Sequence, residues 1–147
     1  MAIVPEDIRN FLESQSFLVV STFDSAGGIH SSIKGIAGTE EDKVYIIDLF
    51  KGRTYNNVKN NPTITITAVD EHLYKGYSLK GKGYIVPPDK IPRQIIKVWE
   101  KKVIRRISKR VIKNIKEERK SSRYPEATFG PPQHLIVMVV EEIADLS

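Results

Sequence analysis

The feature of this sequence that most restricts its fold is the segment Thr-Ile-Thr-Ile-Thr-Ala-Val at residues 63–69, where polar and apolar side chains alternate. Successive side chains of a β-strand point to opposite faces of the sheet. The alternation therefore predicts a strand with one apolar face and one face that is either wet or lined by a ligand.

Five more strands are predicted from runs of β-branched and aromatic residues separated by turn residues, at 17–23, 29–39, 43–49, 75–86 and 134–143. Two short helices are predicted at 5–14 and 53–60, and Pro62 ends the second one. Most of these strands are joined by short turns. We therefore expect a mainly β fold with some helix, a six-stranded antiparallel barrel with the small helix 53–60 at its centre, because closure removes exposed strand edges.

The composition and the N-terminal sequence exclude several kinds of protein and of site. The chain has no cysteine, which excludes disulfides, thiolate catalysis and thiol-ligated metals. Its hydrophobic fraction of 40% and charged fraction of 28% are ordinary, and we expect residues 1–147 to form a single domain. Pro5, Glu6 and Asp7 stand where a signal peptide would be apolar, and no apolar run is long enough to span a membrane. We expect a cytoplasmic protein.

The histidines are scattered. His30, His72 and His134 show none of the short spacings that are typical of metal ligands, so we expect no metal site. We expect His72 and His134 to be structural. For His30 a ligand contact and a structural hydrogen bond are equally good interpretations.

A basic helical insert is predicted at residues 88–121, before the last strand. Residues 88–123 contain 14 Lys or Arg and four acids, although the whole chain carries a net charge of only +5. Isoleucines, valines and Trp99 recur at helical spacing within it. In one interpretation the insert is an amphipathic helix that packs on the barrel, and most of its charges lie on the solvent-exposed face of this helix. Alternatively, its cations bind a phosphorylated or carboxylated substrate, or nucleic acid, and Tyr124 and Phe129 in the following loop close over a bound ring.

Residues 47–62 join a strand to the helix 53–60 through Gly52, with Arg53 and Thr54 at the helix start. Unpaired backbone N–H groups at a helix N-terminus attract anions, and an arginine can hold a phosphate with two parallel hydrogen bonds. One interpretation is a site for a phosphorylated cofactor. The other is that Arg53 is a solvated charge and Thr54 a plain N-cap. The local residues do not separate the two.

The order of these segments resembles the flavin-binding split-barrel family related to pyridoxamine 5′-phosphate oxidase. Four segments carry the resemblance: the hairpin 18–30 with its Asp-x-x-Gly turn, Ser-Ser-Ile-Lys at 31–34, Arg-Thr-Tyr-Asn-Asn-Val-Lys-Asn-Asn-Pro at 53–62, and Leu-Lys-Gly-Lys-Gly at 79–83. The resemblance as a whole covers residues 5–86 plus the last strand. The resemblance implies a split β-barrel and a homodimer that binds FMN at the subunit interface.

Transferred to this chain, the family pattern implies a set of cofactor-binding residues. Arg53 and Thr54 would hold the phosphate, and Ile47 and Asp48 would lie along the ribityl chain or ring edge. Asn56 and Asn57 would reach either the same phosphate or the dimer partner. The strand residues that would face the flavin ring are His30, Ser31, Ser32, Ile33 and Lys34. Lys34 would be the positive group near the ring, its alternative being an outward strand lysine.

The resemblance also has gaps. Many family members have lysine where this chain has Thr54, the C-terminal Arg-x-x-Pro-type segment is absent, and the insert 88–121 is foreign to the vitamin B6 oxidase. We therefore expect an FMN-dependent oxidoreductase acting on an unknown small molecule rather than on pyridoxamine phosphate. A deazaflavin is the alternative cofactor. The alternative function is a non-catalytic polyanion-binding module that uses the basic helix, although we do not expect nucleic-acid binding.

Overall fold

The computed structural model describes residues 2–116 and 130–147. The strands are β1 (Phe17–Phe23), β2 (Ile29–Glu40), β3 (Lys43–Asp48), β4 (Thr63–Asp70), β5 (Lys75–Val86) and β6 (His134–Asp145). The helices are α1 (Glu6–Ser14), α2 (Arg53–Asn60) and α3 (Arg93–Lys116), with a 3-10 turn at Pro88–Lys90. The predicted strands and the two short helices are confirmed, and strand ends differ from their predicted positions by two residues at most. The predicted helical insert 88–121 is observed as the 3-10 turn and α3, and residues 117–121 lie outside the described residues.

The six strands close into one antiparallel barrel in the order β1-β2-β3-β6-β5-β4. The predicted split β-barrel is therefore confirmed. The alternation that indicated β4 is present in the structure, since Ile64, Ile66 and Ala68 are buried while the threonines between them are half-buried. Helix α1 covers one part of this core through Ile8 and Leu12.

Gly81 explains how β5 and β6 come so close together. A Cβ at Gly81 would overlap the carbonyl oxygen of Val139, and the β5–β6 register shifts between Lys80 and Gly81. At Gly83 the nearest neighbours of such a Cβ are the side chains of Ile136 and Ile64, at 3.3 and 3.4 Å. Both glycines therefore allow neighbouring groups to approach β5 closely.

The helical insert packs on the barrel only through its first part. Ile95 and Trp99 are buried, and a Cβ at Gly35 of β2 would overlap the indole ring of Trp99. Farther along α3, the apolar residues Ile104, Ile107, Val111, Ile112 and Ile115 are exposed. The expectation that the whole apolar stripe packs on the barrel is wrong for these positions, because the barrel offers its apolar surface only to the N-terminal part of α3. The predicted loop residues Tyr124 and Phe129 lie outside the described residues.

Candidate functional site

The first part of the site is the start of α2. Gly52 is the N-cap, no side chain caps the helix, and a Cβ at Gly52 would meet nothing within 4 Å. The prediction of Thr54 as a plain N-cap is therefore wrong, whereas the prediction of Arg53 as a solvated charge stays open. The space beside Gly52 and the uncapped N–H groups leave the helix start open to an anion.

Arg53 and Thr54 differ in what they can offer at this position. The Arg53 side chain is exposed, whereas Thr54 is only 1% exposed. The Thr54 hydroxyl lies 2.8 Å from the Ser32 hydroxyl of β2 and shares a hydrogen bond with it. Arg53 is therefore the side chain that is free to reach an anion at the helix start, while Thr54 ties the helix to β2.

The second part of the site is the split in the barrel. Strand β2 pairs with β1 from Ile29 to Gly35, but its pairing with β3 begins only at Gly35. Among the described residues no strand pairs with the other edge of β2 over residues 29–34. The backbone groups along this edge are available to a ligand, as on any unpaired strand edge.

The five predicted strand residues divide between two faces of β2. His30, Ser32 and Lys34 lie on the face that is half-buried against α2 and β3, whereas Ser31 and Ile33 point to the opposite, exposed face. The Ser31 hydroxyl shares a hydrogen bond of 2.9 Å with the Ser21 hydroxyl of β1. This division follows from the two-residue period of a strand.

The third part of the site is a buried cluster around Asp48, the last residue of β3. Lys34 Nζ donates a hydrogen bond of 2.7 Å to Asp48 Oδ1, with side-chain exposures of 10% and 0%. The backbone N–H of Phe50 also donates to Oδ1, over 3.2 Å. Asp48 therefore fixes the ammonium group of Lys34 at the open edge of β2. The outward orientation considered for Lys34 is wrong.

His134, the first residue of β6, completes this cluster. Its Nε2 lies 2.9 Å from Asp48 Oδ2, but the two atoms are not aligned as a hydrogen bond, and the buried Nδ1 has no partner among the described residues. The Tyr55 ring packs edge-on against the imidazole, with ring centroids 4.8 Å apart. Sequence reasoning did not place His134 at the site. In the sequence His134 only follows a proline-rich segment, which does not indicate a site. It lies opposite Asp48 because of the β3–β6 register, which the local sequence does not reveal.

The electrostatics of the cluster favour an ionised Asp48. Burial alone would raise the pKa of its carboxyl group, but the His134 and Lys34 side chains outweigh burial and lower the pKa below its usual range. The carboxylate thus stays charged at neutral pH and keeps a cation beside it.

Two pockets adjoin these residues. One, of ≈ 240 Å³, which we call the β2 pocket, has the polar or charged lining residues Ser16, Lys34, Asp48 and Arg106. The rest of its lining is Gly35 and the apolar groups of Phe17, Ile33, Ile47, Leu49, Phe50 and Trp99. The other, of ≈ 350 Å³, which we call the α2 pocket, is lined by His30, Arg53, Asn56 and Asn57 among others. Ser32 lies between the two sets along β2. Seven of the ten predicted site residues therefore line these two pockets, whereas Ser31, Ser32 and Thr54 line neither.

Asn57 has a structural partner in addition to its place in the α2 pocket. It is 8% exposed, and its Nδ2 donates a hydrogen bond of 3.0 Å to Thr22 Oγ1 of β1. This bond holds α2 against β1.

Among residues 2–116 and 130–147, no three His, Asp or Glu side chains are grouped so that they could hold a metal ion. None of the described helices combines the length and the apolar character that a membrane span requires.

Comparison with known proteins adds the following. The family model described as pyridoxamine 5′-phosphate oxidase matches residues 4–146. No curated protein matches the chain.

Solved structures match over nearly the whole chain, but at low identity. HupZ from Group A Streptococcus is 17% identical with a TM-score of 0.67, covering 98% of this chain and 94% of that one. A Clostridium acetobutylicum protein related to general stress protein 26, of the pyridoxinephosphate oxidase family, is 16% identical with a TM-score of 0.59, covering 95% and 84%. An F420 reductase is 17% identical with a TM-score of 0.63, covering 96% and 98%. These likenesses show that the fold is shared.

Proposed function

This chain belongs to the pyridoxamine 5′-phosphate oxidase family, and from that membership and the site geometry we propose that it binds FMN and acts as a flavin-dependent oxidoreductase on a small molecule. The single observation that carries the proposal is Lys34, held by Asp48 at the unpaired edge of β2 in a pocket with apolar walls. In this proposal the protein works as a homodimer.

The residues fit an FMN molecule at three points. The phosphate binds at the start of α2, where Arg53 and the uncapped backbone N–H groups supply positive charge. Flat apolar surfaces for a ring system are supplied by Trp99 and Phe50 in the β2 pocket, and Ile47 adds an aliphatic contact. The free backbone groups of β2 and the Lys34 ammonium supply polar contacts along one side. We place His30, Ser32 and Asn57 beside the part of the cofactor between phosphate and ring.

When bound, the flavin supplies the transfer of hydride or of single electrons. The protein's own residues position and tune it. The Lys34 ammonium stabilises negative charge that develops on a neighbouring group, and Asp48 keeps that ammonium in place. Trp99, which is 5% exposed, excludes water from its part of the pocket wall.

The test of the proposal is an absorption spectrum of the purified full-length protein, before and after addition of FMN and removal of excess by gel filtration. We expect flavin bands that co-elute with the protein. A colourless protein that retains no added FMN would contradict the proposal.

A deazaflavin is the second candidate cofactor, and the likeness to an F420 reductase favours it. Its absorption differs from that of FMN, so the same spectrum distinguishes the two. A titration of the cofactor-free protein with each compound then shows which one binds more tightly.

A further inference from the structure

The C-terminal half of α3 exposes its apolar side to solvent. Five aliphatic residues share this side, at spacings typical of one face of a helix, and we call them the α3 face: Ile104, Ile107, Val111, Ile112 and Ile115. Ile104 is 62% exposed and Ile115 72%. A helix that only packed on the barrel would bury its apolar side and expose its charges. The second half of α3 does the opposite.

The side of α3 that meets the rest of the protein is cationic in this half. Lys102 Nζ donates a hydrogen bond of 3.2 Å to the backbone carbonyl oxygen of Gln15, just after α1. Burial lowers the pKa of Lys102 to about 8. Arg106 lines the β2 pocket together with Trp99. Because Lys102 and Ile104 are two positions apart, they lie on nearly opposite sides of the helix, and the α3 face points away from the barrel.

The surroundings of the α3 face are strongly positive. Helix α3 contains ten Lys or Arg and a single acid, Glu100. The exposed Lys97 and Lys101 precede Ile104 by seven and three residues in the sequence, so they lie on the same side of the helix, at the N-terminal end of the α3 face. Glu100 lies at the same end, where these lysines outnumber it. A partner that covers the α3 face must therefore be apolar and carry negative charge beside its apolar part.

A second copy of α3 does not meet this requirement. Residues 101–116 contain no Asp or Glu, so two α3 faces packed together in either orientation would bring cations next to cations. Like charges that face each other across an interface weaken it.

The composition of the α3 face also differs from that of a protein-binding helix. Protein interfaces depend on aromatic anchors, but Trp99, the one aromatic residue of α3, is 5% exposed and packs on the barrel. A surface of anionic lipids needs no such anchor. Its acyl boundary takes up aliphatic side chains, and its headgroups attract Lys and Arg.

We propose that α3 binds the surface of a membrane that contains anionic lipids, with the α3 face at the boundary between headgroups and acyl chains. Lys97 and Lys101 lie beside the lipid phosphates, and the barrel lies on the aqueous side of α3. The helix lies along the membrane surface and does not cross it. This interaction goes beyond the proposed function and does not depend on the cofactor.

The test measures co-sedimentation of the full-length protein with two kinds of vesicle, one of phosphatidylcholine with about one third phosphatidylglycerol and one of phosphatidylcholine alone. The first variant is Ile104→Gln with Ile115→Gln, which removes two aliphatic side chains from the α3 face. Its matched control is Val69→Gln with Leu73→Gln, at aliphatic residues of the barrel that are similarly exposed, 63% and 65%. Circular dichroism checks that each variant is folded.

A second pair of variants tests the charges without changing the apolar residues. Lys97→Gln with Lys101→Gln removes the cations beside the α3 face. Lys109→Gln with Lys113→Gln removes the same charge from exposed positions on the other side of the helix.

We expect wild type to bind the anionic vesicles at low salt, and the neutral vesicles at least roughly tenfold more weakly, because each cation near the headgroups adds to the attraction. The Ile104/Ile115 variant should bind the anionic vesicles at least roughly tenfold more weakly than wild type, since less apolar surface is buried. The Val69/Leu73 variant should change the affinity by less than about twofold. The Lys97/Lys101 variant should lose most of the preference for anionic vesicles, and the Lys109/Lys113 variant should keep it.

Three results would overturn the proposal: no binding to anionic vesicles at low salt, equal binding to both kinds of vesicle, or an equal loss in the Ile104/Ile115 and Val69/Leu73 variants. A wild-type dimer that the Ile104/Ile115 substitutions convert into a monomer, as measured by sedimentation velocity, would also overturn it and assign the α3 face to a second copy. None of these variants changes a residue of the FMN site. An FMN titration of wild type therefore tests the proposed function separately from the membrane interaction.

Discussion

At the scale of single residues, burial decides whether a polar group of the candidate site is bonded within the protein or is free to bind a ligand. Thr54 and Arg53 are neighbours in sequence, but the first is buried and bonded to Ser32 while the second is exposed. Asp48 and Lys34 are fourteen positions apart and form the shortest contact of the site, at 2.7 Å. Whether a polar side chain of the candidate site can reach a ligand therefore depends on its burial and on its hydrogen-bond or ion-pair partners, and not on its residue type alone.

Replacing Arg53 with alanine should weaken FMN binding by about 1.5–3 kcal/mol, because a charge-assisted hydrogen bond to the phosphate is lost. The measurement is a fluorescence titration of cofactor-free protein with FMN. Lys59→Ala is the matched control, since Lys59 is an exposed cation in the last turn of the same helix. Equal affinities of wild type and Arg53→Ala would remove Arg53 from the site.

Replacing Asp48 with asparagine should lower the free energy of unfolding by about 3–5 kcal/mol at pH 7, because Lys34 is left buried without its counter-charge. Urea unfolding of both proteins measures this difference. Glu142→Gln, at an exposed position of β6, is the control and should change little.

The same pair of proteins tests the pH dependence. The pKa of Asp48 is lowered in the folded protein, so its stabilising effect is complete above the unfolded pKa of about 4 and is lost as the pH falls through the lowered folded pKa. The difference between wild type and Asp48→Asn should therefore shrink in acid. A difference that stays constant down to the acid limit would show that Asp48 is not ionised in the fold.

At the scale of elements, the site exists because β2 changes partners. Its first half pairs with β1 alone, and its second half pairs with β3 from Gly35 onward. The short helix α2 lies at this opening, tied to β1 by the bond between Asn57 and Thr22. Helix α3 reaches the other end of the opening, where Trp99 lies on Gly35. The split therefore has a helix on each side.

Replacing Gly81 with alanine should lower the free energy of unfolding by at least about 3 kcal/mol, because the added Cβ would overlap a backbone carbonyl oxygen that cannot rotate away. Gly52→Ala is the control for stability, since nothing lies within 4 Å of its Cβ position. Thermal unfolding of the two variants measures both effects. A Gly81→Ala protein as stable as wild type would show that β6 is not packed closely against β5.

At the scale of the whole molecule, the outer face of β1 and β2 exposes a group of large apolar side chains to solvent. Phe17, Phe23, Ile29 and Ile33 are all exposed there, with Ile29 at 74% and Ile33 at 66%. The β1–β2 register places Phe23 opposite Ile29, so these side chains form a continuous patch around Ser21 and Ser31. Such a patch next to a pocket is typical of an interaction surface, and it fits the proposed homodimer.

Replacing Ile33 with aspartate should therefore weaken the dimer and FMN binding together, because a charge is placed in the apolar patch beside the β2 pocket. Sedimentation velocity over a range of concentrations measures the first effect, and an FMN titration the second. Val69→Asp, at an exposed position of β4, is the control. A wild type that stays monomeric at every concentration would contradict the homodimer proposal.

The sequence alone determined the elements and their order, since strand and helix periods are local properties that β4 and α2 display without tertiary help. It also indicated the start of α2 at Gly52 and Arg53, and it predicted an anion site there because a helix start binds anions through its own backbone.

Only the tertiary structure decided which predicted residues meet. It placed His134 beside Asp48, turned Lys34 inward to the same carboxylate, and brought Lys102 to the end of α1. Each of these outcomes depends on the β2–β3 pairing, on the β3–β6 pairing or on the docking of α3. They could not be read from local sequence because burial and pairing depend on residues that are far apart in the chain.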